Sequence, residues 1–199
     1  TFSDAEIKSL VSYIKNAHNN KEISKADSKK SGVYQSEEFK IKVDTITDVV
    51  DVPWGLEFLP DNSILITDRD GDFYHRHLNG KMVKITATPQ AYSRGQGGLL
   101  DVLLHPDFEK NNFIYLSYSK SVFEDTREKS TTAVCRAEFR NDTLFNVKEI
   151  FIAKPYFETQ HHYGSRMVID ENGYLFISVG ERGKENVNPQ DLSSDCGKV

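Results

Sequence analysis

Three stretches of this chain repeat one pattern, and that repeat restricts the fold more than any other feature. Leu56-Glu57-Phe58-Leu59-Pro60-Asp61-Asn62 runs into Ile64-Leu65-Ile66-Thr67. Val102-Leu103-Leu104-His105-Pro106-Asp107 runs, through Asn111-Asn112, into Ile114-Tyr115-Leu116-Ser117. Met167-Val168-Ile169-Asp170-Glu171-Asn172-Gly173 runs into Leu175-Phe176-Ile177-Ser178. Each unit is a short apolar strand, a turn built from Pro, Asp, Asn or Gly, and a second strand ending in a hydroxyl residue. That is the signature of an antiparallel hairpin. The hydroxyls Thr67, Ser117 and Ser178 recur roughly 50 to 60 residues apart, a spacing that suits the blades of a β-propeller. A β-sandwich, the structural alternative, has more closely spaced turns. Ala133–Phe139 and Val147–Ile152 supply further short strands. A propeller ring takes four to eight four-stranded blades. Residues 39–199 hold about three, so the expectation is an all-β fold of which roughly the first half is present.

The N-terminal part reads differently. Residues 3–16 suit an amphipathic helix, with Ser3 as N-cap, Glu6 as its capping-box partner, and Ile7, Leu10, Val11 and Ile14 on one face. Such a helix is marginal alone and is expected to be the last helix of a preceding domain, residues 1–16. Residues 17–38 are polar and lysine-rich and read as a linker. The chain starts at Thr, not Met, so its natural start and any leader are expected to lie upstream.

The formal net charge of −5 and the scattered basic residues exclude an electrostatic case for nucleic-acid binding. No apolar run approaches the roughly 18 residues needed to span a bilayer. Cys135 and Cys196 form no CxxC or CxxCH motif, so c-type haem has no attachment point here, and a disulfide between them stays open.

His161-His162-Tyr163-Gly164-Ser165-Arg166 carries the clearest chemistry. A histidine beside Gly and Ser at the mouth of a strand can act as a base near neutral pH, or simply hydrogen-bond a loop. Further motifs stand in order around it: Val52-Pro53-Trp54-Gly55-Leu56, Gly95-Gln96-Gly97-Gly98-Leu99-Leu100-Asp101 and His105-Pro106-Asp107-Phe108 before it. Gly180-Glu181-Arg182-Gly183, Gln190-Asp191-Leu192 and Gly197-Lys198-Val199 follow it. Together, over about residues 45–199, they resemble the soluble PQQ-dependent sugar dehydrogenases of the glucose/sorbosone dehydrogenase family, aldose sugar dehydrogenase branch.

The resemblance implies a six-bladed β-propeller that binds pyrroloquinoline quinone (PQQ) and calcium on its axis. It also implies oxidation of an aldose to its lactone and a periplasmic or extracellular location. His162 then corresponds to the general base and Gln96 to a quinone contact, its flanking glycines allowing close backbone approach to a flat ring. His161 stands where relatives carry a carboxylate, which leaves the orienting partner of His162 open. The quinone-clamping arginine and asparagine and the calcium loop of the family fall beyond Val199, so no metal ligand is assigned. The helix at 3–16 resembles the C-terminal helix of a c-type cytochrome. A fused cytochrome, with its haem c upstream of Thr1, or a separate cytochrome c would then accept the electrons.

Other residues are read structurally. Arg166 suits a salt bridge or support of the base, and His105 a turn. Trp54 is expected to pack within a blade rather than carry sugar. Asp68, Arg69 and Asp70 are expected in a solvated loop, and Glu181 and Arg182 receive no catalytic role. Two other readings are a non-catalytic sugar- or protein-binding propeller and, with less in its favour, a propeller lactonase, for which no convincing set of metal-binding residues stands out.

Overall fold

The computed structural model describes residues 32–199. The expected helix at 3–16 and most of the expected linker lie outside them. Two compact units divide the chain at Asp48/Val49. In the first, β1 (Gly32–Gln35) and β2 (Lys40–Val43) pair antiparallel, with mostly exposed side chains. The end of the stretch read as a polar linker is thus a strand. Val33, Tyr34 and Ile41 supply the β-branched and aromatic residues that favour one.

The second unit is built from antiparallel sheets. The first sheet is a meander of β3 (Pro53–Phe58), β4 (Ile64–Asp68), β5 (Phe73–Arg76) and β6 (Met82–Lys84), adjacent in that order. The second comprises β7 (Leu99–Leu104), β8 (Phe113–Glu124), β9 (Arg127–Arg140) and β10 (Thr143–Ile152), again in chain order. A third hairpin joins β11 (Gly164–Ile169) to β12 (Leu175–Val179). One short helix, α1 (Phe108–Asn111), lies in the β7–β8 connection and ends on Asn112 in the left-handed region. The described residues are therefore nearly all β, and they do not close a ring.

The three repeated hairpins share a detail beyond their pattern. In each, the first strand carries a two-against-one bulge: residues 54–55, 100–101 and 165–166 stand opposite Thr67, Ser117 and Ser178. The hydroxyl meets the backbone that the bulge leaves unpaired. Thr67 Oγ1 accepts from the Gly55 amide at 2.8 Å and donates to the Leu100 carbonyl at 2.5 Å. Ser117 Oγ accepts from the Asp101 amide at 2.9 Å, and Ser178 Oγ donates to the Arg166 carbonyl at 3.1 Å. At Thr67 and Ser117 the hydroxyl thus satisfies a buried amide whose loss of a partner would cost about 1–3 kcal/mol, whereas Ser178 caps an exposed carbonyl.

Between the first two sheets lies the main core. Leu59, Leu65, Phe73 and Ile85 face Leu99, Val102, Ile114, Leu116 and the alternate residues Ala133, Cys135, Ala137 and Phe139 of β9. Period-two alternation puts one face of β9 against its neighbour sheet. Fully burying a side chain such as Phe73 stabilises by about 1.5–3 kcal/mol. A smaller cluster of Ala153, Val179 and Cys196 packs with Phe151, Phe157 and Ile177. Cys135 and Cys196 are buried free thiols in separate clusters, not a disulfide.

Asp68 departs from its expected place in a solvated loop. It ends β4, is 4% exposed, and accepts hydrogen bonds from the Asp51 and Val52 amides at 3.0 and 3.3 Å. Those amides precede β3 and have no ladder partner, so a carboxylate takes its place. Arg69 and Asp70 are more exposed and pair loosely at 3.8 Å.

Candidate active site

Two loops meet beside the start of β11. One runs through Arg94-Gly95-Gln96-Gly97-Gly98 into β7; the other, Thr159-Gln160-His161-His162-Tyr163, leads into β11. The Gln96 amide donates to the Gln160 carbonyl at 2.8 Å, and the His162 amide donates to the Gln96 side-chain oxygen at 2.8 Å. Gln96 and His162, 66 positions apart, are therefore directly joined. Gly95 makes the approach feasible: at φ +60° it sits so close to Gln160 that a Cβ would collide with its carbonyl oxygen. Glycine here serves loop-to-loop packing, a use that the expectation of a flat ligand did not include.

His162 sits at φ +55° with its side chain 49% exposed. Its Nδ1 makes a short hydrogen bond to Glu181 Oε1. Glu181 lies just beyond β12 and also accepts from the Gly183 amide at 3.1 Å. The His162 hydrogen bond, helped by these backbone donors, holds the Glu181 carboxyl below its ordinary range. An ionised Glu181 fixes the hydrogen of the neutral ring on Nδ1 and leaves the Nε2 lone pair to take a proton. The carboxylate that holds the His162 ring is thus Glu181, to which the sequence alone assigns no role. His161 instead lays its ring against Gly183 and edge-on to His162, centroids 4.6 Å apart.

Arg182, also left without a role, is the clamp behind this loop. It is fully buried, and its guanidinium lies 3.6 Å from the Tyr163 ring centroid. It donates to the carbonyls of His161 and Thr159 at 2.6 and 2.5 Å and to Ser130 Oγ at 3.1 Å. Tyr163 is held in turn by Ser130 at 2.7 Å through its hydroxyl and by Thr132 at 2.6 Å through its carbonyl. The sole signal in sequence was a Glu-Arg pair after a strand end.

The remaining candidates play structural parts. Arg166 donates to Asp101 Oδ1 at 2.7 Å, and Asp101 Oδ2 accepts the Met167 amide at 3.0 Å, which joins β7 to β11. His105 Nδ1 accepts the Asp107 amide at 2.9 Å within its turn. Trp54, on β3, is 36% exposed, with its indole N–H 3.4 Å from Ser165 Oγ of β11. A cleft of about 510 Å³ beside the Gln96 loop is lined by residues including Tyr92, Arg94, Tyr118 and Lys120, and takes in neither Gln96 nor His162.

Residues 50–199 match the model of the family described as Glucose / Sorbosone dehydrogenase. The chain belongs to the glucose/sorbosone dehydrogenase family. It is 39% identical over 163 residues to aldose sugar dehydrogenase YliI of Escherichia coli, covering 80% of this chain and 43% of that protein. It is 27% identical over 161 residues to quinoprotein glucose dehydrogenase B of Acinetobacter calcoaceticus, covering 77% and 33%. The crystal structure of the soluble E. coli aldose sugar dehydrogenase in its apo form superposes with a TM-score of 0.69, over 74% of this chain and 43% of that one. The PQQ-bound aldose sugar dehydrogenase of Streptomyces coelicolor, at 22% identity, shares the fold with a TM-score of 0.65. This member of the glucose/sorbosone dehydrogenase family thus spans less than half the length of those relatives.

Proposed function

We propose that this chain is part of a PQQ-dependent sugar dehydrogenase that oxidises an aldose at its anomeric hydroxyl to the lactone. The observation that carries the reading is the junction of Gln96, His162 and Glu181: a glutamine and a half-exposed histidine side by side, with a carboxylate behind the histidine. The donor set suits a quinone. Gln96 spends its side-chain oxygen on the His162 amide, which leaves its NH2 group to donate to a quinone oxygen. PQQ, when bound, supplies the acceptor for the hydride that leaves the anomeric carbon.

The chain's own residues do the rest. His162 Nε2 takes the proton of the anomeric hydroxyl as its O–H bond breaks, and the C–O bond becomes C=O as the hydride departs. Glu181 fixes the tautomer that makes this possible and stabilises the imidazolium that results. Gln96 holds the His162 backbone through its side-chain oxygen. Arg182 and Tyr163 brace the loop that carries His162.

A six-bladed propeller goes with this reading. The two four-stranded meanders are blade-like, and Leu56 and Phe58 on β3 and Val168 and Phe176 on the third hairpin are exposed, as they would be where neighbouring blades pack in a ring. The reading also carries calcium at the quinone, held by residues beyond Val199, and a periplasmic or extracellular location. Its electron acceptor is a cytochrome c, separate or fused upstream.

The test is dye reduction by the full-length protein supplied with PQQ and calcium and offered a panel of aldoses. Sugar-dependent reduction that falls by about 10²–10⁴ in His162→Ala supports the reading. A folded protein that binds sugar or PQQ and turns over no aldose would leave a binding propeller instead.

A further inference from the structure

Away from that site, the first and second sheets meet at a cluster of side chains that could hold a metal ion. His75, on β5, and His77, just past its end, are two residues apart and project to the same side, with ring centroids 3.9 Å apart. Asp142 belongs to the two-residue turn Asn141-Asp142 that joins β9 to β10; both residues have positive φ, as this tight hairpin turn requires. Asp142 Oδ1 lies 2.6 Å from His75 Nδ1, and Oδ2 lies 3.1 Å from His77 Nε2. One ligating atom from each of the three residues lies within 4.8 Å of the others.

The hydrogen-bond inventory around His75 shows what this cluster lacks. Its Nε2 is 2.7 Å from Ser63 Oγ, and Ser63 Oγ is 2.6 Å from Asp61 Oδ1. A carboxylate oxygen can only accept, so the single hydroxyl hydrogen of Ser63 goes to Asp61. The Ser63 oxygen is then an acceptor, and the His75 ring hydrogen sits on Nε2. In a neutral ring, Nδ1 therefore points a lone pair at a carboxylate oxygen 2.6 Å away. Two acceptors at that distance need a cation: a second ring proton, or a metal ion.

We propose that His75, His77 and Asp142 bind a divalent transition metal of the zinc class, which fastens the first four-stranded sheet to the second. Two imidazole nitrogens and a carboxylate are a donor set that suits zinc, with a fourth position left for water. Ser63 and Asp61 act as the outer hydrogen-bonded pair that fixes which ring nitrogen ligates. Tetrahedral ligands at about 2.0–2.2 Å from an ion stand roughly 3.3–3.6 Å apart, so binding requires His75 Nδ1 and Asp142 Oδ1, now 2.6 Å apart, to separate by about 0.7–1.0 Å. His77 and Asp142 keep 35% and 24% side-chain exposure, an entry path for the ion. The backbone join at this place is sparse. The Thr86 amide reaches the Asp142 carbonyl at 3.4 Å, and the Leu144 amide reaches the Thr86 carbonyl at 3.1 Å. A metal there ties the turn of one sheet to a strand of the other.

The experiment takes the full-length protein, stripped with a chelator, and titrates zinc against a chromophoric competitor, with His77→Ala and Asp142→Asn alongside. The expected result is one zinc equivalent that both variants lose or bind at least about tenfold more weakly. A zinc-dependent rise in Tm, seen in the parent and absent in the variants, accompanies it. Equal zinc binding by parent and folded variants would overturn the proposal and leave a doubly protonated His75 paired with Asp142. Ring-nitrogen NMR of the unsubstituted protein needs no variant. His75 Nδ1 and His77 Nε2 shift when zinc is added if they ligate, and unchanged resonances would also overturn it.

Discussion

Two residues, Glu181 and Arg182, hold the candidate site's histidine loop in place. Glu181 holds His162 by Nδ1, so Glu181→Gln should lower kcat at least about tenfold, with KM less affected, because tautomer and ring orientation are lost while sugar contacts remain. Steady-state kinetics of the full-length protein with a responsive aldose checks this. Arg182→Met should destabilise by about 3 kcal/mol or more in urea unfolding. It removes a fully buried guanidinium and strands the carbonyls of Thr159 and His161. Arg182→Lys should recover only part of the loss, since a single ammonium cannot span those acceptors as a planar fork does. His162 and Gln96 are legible in the sequence through the family resemblance of the motifs that carry them. Glu181 and Arg182 are not, because Gly-Glu-Arg-Gly also reads as a turn. Their partners lie 19 or more positions upstream, and nothing local signals such a pairing. The His75-Arg76-His77 pair is a strand-spaced signal that could have been noticed, but Asp142, its third member, is a turn residue of another sheet.

At the scale of strands and sheets, the hairpin repeat was legible because alternation and turn residues are local properties. The meaning of its hydroxyls was not, since a bulge is a property of pairing between strands. If Ser117 serves the bulge of β7, Ser117→Ala should cost about 1–3 kcal/mol in equilibrium unfolding, well above a typical surface substitution. β5 and β6 gave no strand signal: Phe73–Arg76 and Met82–Lys84 are short and interspersed with charge, and neighbouring strands override local preference. On the second sheet, Glu149 receives Lys120 at 2.7 Å and Tyr118 at 2.7 Å. Burial works to raise its pKa, but these two donors prevail and hold it below its ordinary 4.5. A carboxyl lowered in the folded state stabilises above its unfolded value and loses that contribution as pH falls through the folded one. The stability difference between the parent and Glu149→Gln should therefore be present at neutral pH and vanish in acid below the usual carboxylate range. It should be under about 1 kcal/mol, because the pair is partly solvated. Urea midpoints measured across that range give the answer.

At the scale of the whole molecule, the described sheets bury a main core and a smaller second cluster and leave apolar side chains such as Leu56, Phe58, Val168 and Phe176 exposed. Residues 32–199 expressed by themselves should bind a hydrophobic dye and self-associate, whereas the full-length protein should do neither, if further sheets cover those faces. Burial pushes the Cys135 thiol up to about 12, and burial raises Cys196 as well. Both should resist a thiol reagent at mildly alkaline pH in the native protein and react together on unfolding. The loop carrying His162 is held by residues drawn from 92–98, 130–132 and 180–183, stretches far apart in the chain. Synthesis runs from the N-terminus, so the histidine leaves the ribosome before its carboxylate and before the arginine that braces it. A nascent or half-folded chain thus holds an unaimed imidazole, which gains its orientation only once residues 180–183 have been made and have folded against it.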